Sequence, residues 1–132
     1  MSESGEVTDR EVLRFIYEWI DSVPHLEALL LIWSTRPKPW SVDDLARRLY
    51  VEPHVGAALL HDLVQNNLID KDSGSPEHYL YVSKSPETEN LIAAVHTKYR
   101  AEIIAISTMI HRKASSAVRD FAEAFRFIKG RD

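Results

Sequence analysis

The chain has 132 residues, enough for one hydrophobic core with helical extensions, and its 45% hydrophobic and 27% charged content is that of a folded domain rather than a disordered segment. It has no cysteine, which excludes disulfides and thiolate metal sites. The net charge of −4 is graded, at −4 over residues 1–23, −2 over 24–84 and +2 over 85–132, so any polyanion must be met by a local basic patch and not by the total. The acidic start, Met1-Ser-Glu-Ser-Gly-Glu, lacks the basic and apolar parts of a signal peptide. The longest apolar run, Ala28 to Trp33, is far too short to span a bilayer, so a cytoplasmic protein without membrane contact is expected.

Val12, Phe15, Ile16, Trp19 and Ile20 recur at helical spacing and predict a first helix over Thr8–Val23, with Thr8 or Asp9 as N-cap. Pro24 suits the start of a second helix. Leu26, Leu29, Leu30 and Trp33 give that helix one buried face, and Ala28, Leu31 and Ile32 make it apolar nearly all round. Arg36-Pro-Lys-Pro stops it. Ser41, with Asp44 three residues on, has the form of a capping box, opening a short helix that buries Val42, Leu45, Ala46 and Leu49. Tyr50-Val-Glu-Pro is a turn, with Pro53 at the first position of a helix that buries Val55, Leu59, Leu60, Leu63 and Val64.

Asn66-Asn67 suits a left-handed helix end. Two short strands follow, Leu68-Ile-Asp and His78 to Ser83, around the loop Asp72-Ser-Gly-Ser-Pro. From Pro86 to about Arg112 the apolar positions Ile92, Val95, Tyr99, Ile103, Ile106 and Ile110 approach a heptad seam and predict one long helix. After Lys113-Ala-Ser-Ser a final helix carries Val118, Phe121, Ala122, Phe125 and Ile128.

The buried set of the helix after Pro53 leaves His54, Ala57, Ala58, His61 and Gln65 facing outward. Gln can pair with adenine, and His can donate or accept, so this face can read base edges. It has no Lys or Arg. Phosphate anchoring therefore falls to Lys38, Arg47, Arg48, Lys71 and Lys84, with Ser41 at a helix start. The loop between the strands brings Asp70, Asp72 and Glu77 beside Lys71.

Trp40 to Val64, followed by the strands from Leu68 to Val82, resembles a winged helix-turn-helix, and with its flanking helices the chain resembles MarR-like transcriptional regulators. The resemblance implies a mostly α fold in which residues 24–84 form the winged helix-turn-helix with a short two-stranded wing. Residues 1–23 then form an N-terminal helix on the core or at a dimer interface, and 85–132 a long and a short helix used for dimerisation. It also implies a homodimer presenting two recognition helices to double-stranded DNA. The candidate DNA-binding residues are Lys38, Ser41, Arg47, Arg48, His54, Ala58, His61, Gln65 and Lys71.

The first and last helices carry more apolar surface than a winged helix of this size can cover. Phe15, Trp19, Ile92, Tyr99, Ile103, Ile106, Phe121 and Phe125 are therefore candidates for a homodimer interface.

A protein-interaction role for the same uncharged face stays open beside DNA binding. Enzymatic readings have no support: there is no Gly-x-Ser-x-Gly, no glycine-rich phosphate loop and no Cys/His pair. His54 and His61 lie two helical turns apart, too far to share a metal without a third element, so no metal and no cofactor is expected.

Overall fold

Side-chain caps set most of the helix starts. The computed structural model describes residues 6–72, 74 and 77–114. In α1 (Asp9–Trp19) the Thr8 hydroxyl accepts from the Glu11 amide at 3.2 Å, and Asp9 and Glu11 sit in the first turn where the helix dipole favours them. The helix stops at Trp19 and not at Val23, because Ser22 is extended (φ −153°, ψ 163°) and caps α2 (Val23–Ser34) by accepting from the His25 amide. Pro24 thus falls just inside α2, where its missing N–H is harmless.

α2 is the hub of the core. Leu26, Ala28, Leu29, Leu30 and Ile32 are buried, and the helix touches α3, α4, α5 and β2. α3 (Val42–Leu49) starts at Ser41, whose Oγ accepts from the Asp44 amide at 3.1 Å, and Arg47 and Arg48 lie in its last turn. α4 (Pro53–Gln65) crosses α3 closely at Gly56, where an added Cβ would stand 3.1 Å from Ala46 Cβ. Only glycine leaves that space free.

Both helices end in the same hydrogen-bonded motif. After α3, Tyr50 is left-handed (φ 60°, ψ 44°), its amide bonding Arg47 O while the Val51 amide reaches Ala46 O. After α4, Asn67 is left-handed (φ 60°), its amide bonding Val64 O while the Leu68 amide reaches Leu63 O.

β1 (Asp70–Asp72) and β2 (His78–Leu80) pair antiparallel, with Lys71 opposite Tyr79. A third partner was not foreseen from the sequence. Trp40 donates to Tyr79 O at 2.7 Å and accepts from the Tyr79 amide at 2.8 Å, a bridge that joins the hairpin to the segment just before α3. The Trp40 indole is buried, and its Nε1 donates to Thr35 Oγ1 at 2.9 Å.

α5 (Pro86–Ala101) is capped by Ser85, which accepts from the Thr88 amide. The long helix expected to reach Arg112 is interrupted. Glu102 leaves the helical region (φ −135°, ψ 54°) and a second helix, α6, covers 103–114. Few hydrogen bonds are lost at the break, since Glu102 still donates to Lys98 O and accepts from the Ile106 amide. Lys98 Nζ holds the Glu102 carboxylate at 2.9 Å and Asp9 at 3.1 Å, tying the bend to the start of α1. Ile106 and Ile110 of α6 are buried in the core.

Lys113 of α6 donates to Tyr17 O and, at 2.9 Å, to Ile20 O, closing the carbonyl end of α1. The final helix expected beyond Lys113, with Phe121 and Phe125, lies outside the described residues.

Candidate nucleic-acid interface

The packing of α4 decides which of its side chains are available. Gly56, Leu59, Leu60 and Leu63 are buried, and His54, Ala57, Ala58, His61 and Gln65 are exposed along the opposite face. The orientation of α4 is tied to α2 by a relay. Ser22 Oγ lies 2.6 Å from His25 Nδ1, and His25 Nε2 lies 2.8 Å from Asp62 Oδ2. The one carboxylate of α4 is thus engaged by His25 at the side of the helix, and the exposed stripe carries no formal negative charge.

Basic side chains gather beside α3. Lys38, Trp40, Asp44, Arg47, Arg48 and Tyr50 line a shallow recess of about 410 Å³. Lys38 Nζ stands 4.2 Å from the centre of the Trp40 ring, a cation–π contact that leaves the ammonium facing out. Arg47 is bonded to Asp44 at 3.1 Å, an exposed pair of small net worth. Arg48 has no acceptor among the described residues. With three cations against one carboxylate, the recess is net positive. Ser41, at the start of α3, has its oxygen engaged in capping.

Lys71 does not join this group. Its Nζ pairs with Glu77 at 3.4 Å across the hairpin, and Lys84 pairs with both oxygens of Asp70 at 2.9 Å.

The dimer candidates separate into two sets. Phe15, Ile92, Tyr99 and Ile106 are buried against the chain's own core, because α1 packs along α5 and α6 folds back. Trp19 and Ile103 stay exposed, at 44% and 50%, with Tyr17 and Ile104 also open on α1 and α6.

The perturbed titrations lie away from α4. Burial, reinforced by its hydrogen bond to Glu89, pushes the Tyr81 phenol up to about 12. Burial and the bond to Glu27 also raise Tyr99. Burial and nearby Arg100 lower His96, whose ring leans on Trp33 with centroids 5.3 Å apart. Tyr81, Glu89 and Arg36 form one chain, the Arg36–Glu89 pair at 3.1 Å, that anchors the exit of the hairpin to α5. Among the described residues, no three His, Asp or Glu side chains converge as metal ligands would, and no helix is long and apolar enough to cross a membrane.

Trp40, Tyr50, Ser22, His25 and Asp62 were not singled out by the sequence. A one-residue bridge, a left-handed tyrosine and a contact across 37 positions leave no periodic signal.

No family model and no curated protein matches the sequence. Among solved structures the chain is similar to MepR, a transcription regulator of the Staphylococcus aureus multidrug efflux pump MepA, with a TM-score of 0.52 over 93% of this chain and 89% of that one. The fold is the MarR-like winged helix-turn-helix. At 11% identity the likeness is one of fold. The heme sensor PefR of Streptococcus agalactiae, in complex with heme, follows at a TM-score of 0.49 and 14% identity, covering 88% of this chain and 84% of that one. In this winged helix α3 and α4 are the two helices of the helix-turn-helix, and β1 and β2 form the wing.

Proposed function

We propose that the protein is a DNA-binding transcriptional regulator that acts by binding, without catalysis, as a homodimer in the cytoplasm. The observation that carries this reading is the net-positive recess of Lys38, Arg47 and Arg48 beside α3, the helix packed against α4, whose outward stripe is uncharged. On this reading α4 enters the major groove. Gln65, His54 and His61 meet base edges, Ala58 allows close approach, and the recess neutralises backbone phosphates. Ser41 places the start of α3 at the backbone, and Lys71 adds a wing contact once it leaves Glu77. The exposed apolar side chains of α1 and α6, Trp19 and Ile103 among them, support pairing with a second copy, which would present two α4 helices to a palindromic site.

A second reading, in which the outward face binds a protein, is favoured by one observation. The wing lysines are already neutralised by Glu77 and Asp70.

Titration against random-sequence duplex DNA at low and moderate salt separates the two. Binding that weakens steeply with salt is expected of the regulator, and no binding even at low salt would sink it. Light scattering on the same sample should give twice the chain mass.

A further inference from the structure

Two helices of this protein end in the same left-handed motif, and the residues at the two ends differ in kind. Asn67 closes α4, and asparagine tolerates the left-handed region because its short amide can bond locally. Tyr50 closes α3 in the same conformation, where glycine or asparagine is the usual choice and a bulky side chain is strained. Burial of the ring would offset that strain, but Tyr50 is 94% exposed. The side chain is thus held at a cost with no packing return. Such an outlier points to a contact outside the chain.

The surroundings say what kind of contact. Tyr50 lines the net-positive recess together with Lys38, Arg47 and Arg48. A phenol is a neutral hydrogen-bond donor, and beside three cations that face one carboxylate it suits an anionic oxygen. The left-handed backbone also makes its position repeatable, since the two amide bonds of the motif fix Cα and the direction of its bond to Cβ.

Resting on the DNA reading, we propose that Tyr50 is a backbone-contacting residue whose hydroxyl donates to a phosphate oxygen held by Lys38, Arg47 and Arg48. It fixes the register of the protein on the duplex without reading sequence.

Tyr50→Gly tests this, because glycine relieves the strain. The variant should melt no lower than the wild type, yet bind a fixed duplex about tenfold more weakly, as loss of a hydrogen bond to a charged acceptor implies. Its salt slope should be unchanged, since no charge is removed, whereas Arg48→Ala should lower the slope by roughly 0.9. Tyr50→Phe, which keeps the ring and the strain, should lose most of the same affinity. A Tyr50→Gly protein that binds as well as the wild type would overturn the role of Tyr50 and leave the DNA reading standing. A wild type that binds no duplex at low salt would overturn both.

Discussion

The recess beside α3 and the wing hairpin both bring basic side chains to the surface, and they dispose of them in opposite ways. In the recess Lys38 rests on an indole, Arg47 bonds one carboxylate and Arg48 has no partner among the described residues. In the wing Lys71 and Lys84 each face a carboxylate of the same hairpin or its flank. Exposed pairs of this kind add little to stability, so the wing gains little from its pairing. What pairing changes is availability. A phosphate approaching the wing must first displace Glu77 or Asp70, while one approaching the recess displaces only water and Asp44. Counting Lys and Arg along the sequence does not reveal this difference.

The comparison can be broken at its root with Gly56→Val. The added side chain meets Ala46 across the closest approach of α3 and α4, so the helices must separate and the recess must move relative to the outward face. A loss of about 2 kcal/mol is expected in urea unfolding, and an unchanged midpoint would show that the contact is slack.

Replacing Arg47 and Arg48 together by Ala leaves the fold within about 0.5 kcal/mol of the wild type, since both are exposed. DNA affinity should fall by about tenfold and the salt slope by roughly 1.8. A slope that does not move would shift the phosphate contacts to the wing.

Glu77→Gln sharpens the contrast from the other side by releasing Lys71. A gain of about twofold in DNA affinity at low salt is expected, lost at higher salt, and a decrease would mean that Glu77 itself meets the partner.

The parts legible in the sequence are those written locally. Thr8, Ser41 and Pro53 mark helix starts through one hydrogen bond or one missing N–H, and the structure places each there. The outward stripe of α4 followed from the spacing of Leu59, Leu60 and Leu63, because a helix with one packed side leaves its other side open. The break at Glu102 was not legible. The isoleucines keep heptad spacing through it, and the ion pairs to Lys98 that hold the bend link residues as far apart as Asp9. Availability of charge was hidden for the same reason, since Lys84 and Asp70 are 14 positions apart. Tyr50 sat in a segment read as a turn, but which turn residue is left-handed is set by the helix-end bonds to Ala46 and Arg47.

The bridge between Trp40 and Tyr79 has a mechanical consequence. Trp40 is the residue before Ser41, so the hairpin is fastened to the first turn of α3 by two hydrogen bonds and one covalent link. Pressure on the wing, from a groove wall or another molecule, reaches α3 through stiff connections rather than through side chains that can slide. The hairpin is then a lever with its fulcrum at Trp40, a residue that also lines the basic recess.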